Sequence, residues 1–217
     1  MSASFLSTRE LPSLLQERLG QPLPGPAAQR RFAPPLSYGR HQGPPSPDAM
    51  VAAVLLLLVP DTFAWRLPLT ARPVTLAHHA GQISLPGGCM EPGETIEETA
   101  LRECEEELGV PHHAIRLIGR LTPIYIYHSN FLVTPCLGYA SEPCDLHPNP
   151  SEVQQLLNPS LEQLLDPRHH GLFPLLRAGV PLATPCIRFD EHVIWGATSM
   201  VLGEFFAILQ SLPRSPH

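Results

Sequence analysis

Residues 88–110 read GCMEPGETIEETALRECEEELGV, a glycine-bounded run dense in glutamate. Thr95 to Leu108 has helix-forming composition, with Glu91-Pro92-Gly93-Glu94 as the turn before it and Gly109 as its C-terminal stop. Within that helix Glu98, Glu103, Glu105, Glu106 and Glu107 crowd together. Glu103 and Glu107 are four apart and Glu106 is three from Glu103, so these three project from one face. Like charges at that spacing repel and weaken an isolated helix. A bound cation offsets the cost. Hard divalent ions such as Mg²⁺ or Mn²⁺ take oxygen ligands, and Mg²⁺ commonly combines one or two protein carboxylates with substrate phosphates. Ala100, Cys104 and Leu108 form the apolar stripe of the predicted helix, and Glu103 and Glu107 lie at the edge of that buried face.

Acidic runs are usually solvated helix faces; here the order of the residues argues otherwise. Gly88, Glu94, Arg102, Glu103, Glu106, Glu107, Gly109 and Val110 fall in the pattern G-x5-E-x7-R-E-U-x-E-E-x-G-U, where U is aliphatic. This resembles the Nudix box, with Cys104 standing where the family usually has Ile, Leu or Val. A free cysteine packs as a small hydrophobe, so the exchange is expected to leave the chemistry intact. The resemblance implies an α/β fold, an α/β/α sandwich with a central mixed β-sheet. It also implies hydrolysis of a phosphoanhydride with divalent metal ions. Glu103, Glu107 and Glu106 are then the candidate metal ligands, joined by the Gly88 carbonyl. Arg102 would orient a glutamate through a salt bridge, and Glu94 would support the loop or that same network. Two general bases remain open, Glu106 and, on a later loop, Glu152.

The bulk composition narrows the alternatives. A chain of 217 residues suits one domain with extensions, and 43% hydrophobic content with a net charge of −6 fits a globular protein. All 14 basic residues are arginine, which excludes a Walker-type lysine, a Schiff-base lysine and a lysine general base. Phosphate recognition must fall to arginine, whose planar fork suits it. The acidic balance argues against nucleic acid as a partner. Cys89, Cys104, Cys136, Cys144 and Cys186 are odd in number and form no C-x-x-C, which is read as reduced thiols in a cytoplasmic protein. The longest apolar run, Val51 to Pro60, is too short to span a bilayer, so no membrane partner is expected. The pairs His78-His79, His112-His113 and His169-His170 lack the spacing of a zinc ligand set.

Along the chain, residues 1–47 form a zone of their own ahead of a catalytic domain at 48–212. A short helix is predicted from Leu11 to Leu19, then irregular chain through the Pro- and Gly-rich stretch Gln21 to Pro47. This zone is open to three roles: linker, arm of a homodimer, or cover over the domain. Met50 to Leu58 reads as a central strand buried on both faces. Further strands are predicted at Arg66–Arg72, Gln82–Leu85, Ile115–Tyr127 and Phe131–Tyr139. Helices are predicted at Asn158–Leu165 and Trp195–Leu209.

The box leaves the substrate open, and a second resemblance narrows it. Leu69-Thr70-Ala71-Arg72, Leu76, His79 and Gly81-Gln82-Ile83-Ser84-Leu85-Pro86-Gly87-Gly88 resemble the extra motif of coenzyme A pyrophosphatases. Ile124-Tyr125-Ile126, Ser129-Asn130-Phe131, Glu152-Val153 and Trp195-Gly196-Ala197-Thr198 extend the likeness. Pro73 and Leu85 depart from that motif, where Ser and Phe are usual. Arg72 is the candidate for a nucleotide phosphate, with a surface arginine as the plain alternative. Two roles are open to His79, substrate contact or loop structure, and Gln82 is a substrate-binding candidate that could instead brace the turn. Tyr125 and Tyr127 could line a groove for adenine or pantetheine, or simply pack in the core. The functional readings are a coenzyme A pyrophosphatase (its thioesters included), a Nudix enzyme for ADP-ribose or a dinucleotide, and a non-catalytic nucleotide-binding regulator.

Overall fold

The computed structural model describes residues 9–35, 44–62, 64–71, 82–177 and 180–213. Its centre is β1 (Met50–Pro60), whose alternate side chains enter two different cores. Ala53, Leu55, Leu57 and Val59 face one way; Leu56 and Leu58 face the other. β1 pairs in parallel with β8 (Phe131–Ala140) along most of its length, which explains a nearly continuous apolar sequence. Antiparallel partners complete a mixed six-stranded sheet: β2 (Trp65–Arg66) and β5 (Gly87–Cys89) on β1, β6 (Ile115–Arg120) and β7 (Ile124–Ile126) on β8.

The first core lies under α3 (Ile96–Leu108), which inserts Ala100, Cys104 and Leu108, all fully buried, against the odd-numbered side chains of β1. Burial raises the pKa of the Cys104 thiol, so it stays protonated and packs as the apolar residue it replaces. The second core is formed by α5 (Ala197–Gln210) and α1 (Leu11–Leu19) over the opposite face. Fully burying a leucine contributes about 2 kcal/mol, so Leu11 and Leu15 of α1 bind it firmly. The outcome is the expected α/β/α arrangement.

Several boundaries move from the sequence expectation, mostly at prolines. Ile115–Tyr127 is two strands parted around Pro123, and Arg66–Arg72 is broken at Pro68 into β2 and β3 (Leu69–Ala71). β3 joins β4 (Ile83–Ser84) and β9 (Gln155–Leu157) in a small second sheet. The predicted helix from Asn158 shortens to α4 (Leu161–Leu165), begun by a Ser160–Gln163 capping box. Trp195 ends a strand rather than starting a helix; α5 begins after Gly196. The stretch from Gln21 is not wholly irregular, because α2 (Gly25–Gln29) and a 3₁₀ turn (Arg30–Phe32) form there. That segment lies over α5, with Phe32 in the second core, so the described part of the N-terminal zone covers the domain.

One element went unread. β10 (His170–Arg177), β11 (Val180–Phe189) and β12 (His192–Trp195) form a third sheet whose long hairpin carries Pro174, Pro181 and Pro185. Prolines disguise strands, since they lack an N–H for the ladder. Here β12 pairs only with Cys186–Phe189, so Pro181 and Pro185 fall where β11 has a neighbour on one side alone.

Candidate active site

The acidic helix begins at a capping box: Thr95 Oγ1 accepts the Glu98 N–H at 3.2 Å, and a Glu98 carboxylate oxygen accepts the Thr95 N–H at 2.7 Å. It ends at Gly109, in the left-handed conformation with φ 69°. Any side chain there would press on His147, 3.0 Å from its Cβ. Glu98 is thus a cap. Glu105 is paired with the His112 ring at 2.8 Å and its backbone N–H at 3.2 Å. That leaves Glu103, Glu106 and Glu107 for the site.

Arg102 organises two of these three. Its Nε donates to Glu94 at 2.6 Å; one terminal nitrogen donates to Glu103 at 2.9 Å and Glu106 at 3.0 Å. The other donates to the Cys89 carbonyl at 3.0 Å and back to Glu94 at 3.1 Å. A guanidinium has five N–H groups, and all are engaged. Arg102 therefore has no donor left for a substrate; it fixes the geometry of the carboxylates and ties α3 to β5. Glu94 in turn accepts the Glu91 N–H and the Thr99 hydroxyl.

Glu103 is half-buried, and its carboxylate lies directly over Gly88, where any Cβ would overlap it. Burial raises its pKa; the Arg102 guanidinium opposes the shift, and the charges of Glu106 and Glu152 add to it. Glu103, Glu106 and Glu152 therefore act on one another through charge. Glu107, one turn on, reaches the same strand one residue earlier: it accepts the Gly87 N–H at 3.3 Å and the Thr70 hydroxyl at 3.1 Å, and is 6% exposed.

Among the described residues, no three acidic, histidine or cysteine side chains are already close enough to cage an ion. The donor chemistry nonetheless fits a hard cation. Oxygen donors meet around Gly88 with an excess of negative charge, and the absent Cβ keeps the backbone open beneath Glu103.

Glu152 reaches this region on residues 147–153, bonded to the end of α3. The His147 N–H donates to the Leu108 carbonyl at 2.8 Å and the Asn149 N–H to the Glu107 carbonyl at 2.9 Å. Sequence reasoning missed Thr70 and Asn149. For Asn149 a signal was present, since Asn-Pro-Ser marks a turn built on an Asn side chain.

From Gly87–Cys89 a cleft of about 630 Å³ runs between the central sheet and the third sheet. Ile124, Tyr125, Tyr127 and Trp195 line it, as do Leu175 and Leu176 of β10. Its polar lining (Gln82, Ser84, His128, Ser129, Thr198) is uncharged when His128 is neutral, and no Asp, Glu, Arg or Lys lines it among the described residues. Tyr125 is buried and bonds Asn130 at 2.8 Å, while Tyr127 is 53% exposed on the rim. Both tyrosines therefore face the cleft. Arg72 and His79 lie outside the described residues, as do Pro73 and Leu76.

The network makes a testable demand on acid stability. Hydrogen bonds from Arg102, then from the Glu91 N–H, hold the Glu94 carboxyl at about 2, against an ordinary 4.5. A carboxyl lowered on folding stabilises the protein fully above its unfolded pKa, and the contribution disappears as pH falls through the folded value. Glu94→Gln should therefore lower stability at neutral pH and flatten the loss of stability between about pH 4.5 and pH 2. Urea titrations of both proteins across that range would show it; identical pH slopes would refute the assignment.

The comparisons agree with this architecture. The NUDIX domain family model matches residues 49–177. The uncharacterized Nudix hydrolase NudL of Photorhabdus laumondii is 34% identical over 167 residues, covering 74% of this chain and 88% of the relative. NudL of Yersinia enterocolitica is 34% identical over 154 residues, covering 70% and 77%. Among solved structures, the Nudix hydrolase RenU of M. smegmatis superposes with a TM-score of 0.54 at 19% identity, over 78% of this chain and 91% of that one. The chain belongs to the Nudix hydrolases, enzymes that cleave phosphoanhydride bonds. Members act on nucleoside diphosphate derivatives and generally use divalent metal ions. No helix among the described residues is long and apolar enough to cross a membrane.

Proposed function

We propose that this protein hydrolyses the diphosphate of coenzyme A, or of its thioesters, to 3′,5′-ADP and 4′-phosphopantetheine with Mg²⁺ or Mn²⁺. The observation that carries the reading is the cleft leading away from Gly88, whose lining among the described residues holds no Asp, Glu, Arg or Lys. The pantetheine arm is long, uncharged and carries few hydroxyls, which matches such a lining. A second nucleotide joined through polyphosphate would bring charge into it, and the terminal ribose of ADP-ribose would bring a polyol. The L-T-x-R and G-Q-I-S-x-P-G-G stretches support the same choice.

In this reading Glu103, Glu106, Glu107 and the Gly88 carbonyl would hold the metal, whose chemistry would be to neutralise diphosphate charge and acidify water. Arg102 and Glu94 keep the carboxylates in place. Water oxygen attacks phosphorus, the bridging P–O bond breaks, and a glutamate takes the water proton. Glu152 is the proposed base. One oxygen of Glu106 is held by Arg102, whereas Glu152 accepts only the Asn149 amide among the described residues. Gln82 at the cleft wall, with Arg72 and His79, would contact the substrate.

Incubation with Mg²⁺ and coenzyme A, acetyl-coenzyme A, ADP-ribose or a diadenosine polyphosphate, with products identified by mass, tests the choice. Preferential release of 4′-phosphopantetheine or its thioester is expected; preference for either nucleotide sugar or dinucleotide would overturn it.

A further inference from the structure

We propose that Asn149 is a positioning residue that fixes the Glu152 carboxylate for proton abstraction. The inference rests on the hydrolytic reading above and goes beyond it, to what aims the base. Asn149 bonds in four directions. Its Nδ2 donates to Glu152 at 3.2 Å, and its Oδ1 accepts the Ser151 N–H at 3.1 Å and the Ser151 hydroxyl at 2.8 Å. Its carbonyl accepts the N–H groups of Glu152 and Val153, and its own N–H donates to the Glu107 carbonyl at 2.9 Å.

A backbone N–H can only donate, so the Ser151 contact identifies Oδ1 and leaves Nδ2 for Glu152. One residue thereby connects the last turn of the acidic helix to the Glu152 carboxylate, whose charge acts on Glu103. An exposed glutamate on a loop otherwise samples several rotamers, and a misplaced base can cost about 100-fold in rate. Asn149 restricts that sampling with a neutral donor.

Asp and Ser at 149 separate positioning from structure. Both retain an oxygen acceptor for the Ser151 N–H, so both suit the turn. Neither supplies the amide donor. The full-length protein would be assayed at saturating Mg²⁺ with coenzyme A, or with ADP-ribose if coenzyme A is inert. Asn149→Asp and Asn149→Ser should lower kcat at least 10-fold with KM within 2-fold, about the values expected when placement of a base is lost. Their melting temperatures should stay near wild type. Glu152→Gln should cost at least as much, and adding Asn149→Ser to it should cost nothing more. In the metal-free protein the Asn149 side-chain amide NMR signal, assigned by its loss in Asn149→Ser, should move in Glu152→Gln.

Wild-type kcat in both Asn149 variants, multiplicative losses in the double variant, or an unmoved amide signal would overturn the proposal. Full activity in Glu152→Gln would overturn it as well, while inactive Glu103→Gln in the same assay would leave the hydrolytic reading standing.

Discussion

Glu103→Gln is expected to abolish turnover while the protein remains folded. The substitution keeps the shape over Gly88 and leaves an oxygen to accept from Arg102, so only the charge is lost. Removing one electrostatic anchor of a charged transition state typically costs about 10²–10³ in kcat. A carboxylate that also binds a cation should fall at or beyond that range. The effect on stability has the opposite sign. Burial raises the Glu103 pKa, meaning that the fold disfavours its charged form above that value. Neutral glutamine relieves this, so the melting temperature should be unchanged or higher at neutral pH. Glu107→Gln forms the contrast. Its carboxylate accepts from both Gly87 and Thr70, and an amide retains one acceptor oxygen for the two. It should lose activity and stability together. Steady-state rates with Mg²⁺ and calorimetry on each variant would decide the matter. Wild-type turnover in Glu103→Gln would remove Glu103 from the chemistry.

The sequence was legible where local chemistry and tertiary packing agree. Met50–Leu58 had only one environment that could take so many aliphatic residues, and α3 announced both its ends through Thr95 and Gly109. α1 falls at Leu11–Leu19 as read, because its apolar spacing and Pro12 match the first turn of a helix. The third sheet was hidden because its prolines are tolerated only by a pairing pattern that no local window reveals. Within the site, order and spacing singled out Glu103, Glu106 and Glu107, yet spacing says nothing of rotamers. Glu107 shares a helix face with Glu103 but points to Thr70, a residue thirty-seven positions away. That Arg102 would be saturated also could not be read, since two of its partners lie on the loop and strand before the helix.

One charge in α5 was visible in the sequence and went unexplained. The run Met200 to Leu209 contains a single ionisable residue, Glu204, flanked by glycine and phenylalanine. In the fold Glu204 is fully buried and accepts four hydrogen bonds. They come from the Gly25 N–H at 3.0 Å, Gln29 Nε2 at 2.9 Å, the Thr122 N–H at 3.2 Å and the Thr122 hydroxyl at 2.6 Å. Gln29 Nε2 also donates to the Thr122 carbonyl at 3.0 Å. A carboxylate with four donors is well satisfied, and it joins the covering segment, the turn after β6 and α5. Glu204→Leu would orphan those donors in the core. Each unsatisfied buried group costs about 1–3 kcal/mol, and partial relaxation brings the expected total to about 4 kcal/mol. For a domain of this size that is a fall in melting temperature of about 8–16 °C. Glu204→Gln should lose roughly 1–3 kcal/mol, because the Thr122 hydroxyl can turn to accept from the new amide while the Gly25 N–H is left unpaired. The same variants carry a functional signature. Pro34, just beyond the segment held by Glu204, lines the cleft, whereas the Arg102 network is built from other elements. At temperatures where Glu204→Gln is folded, KM should rise while kcat is nearly kept. Thermal melts and saturation kinetics on the two variants test both halves, and a Glu204→Leu protein melting within about 2 °C of wild type, less than 1 kcal/mol, would show that the four bonds are not what holds the cover down.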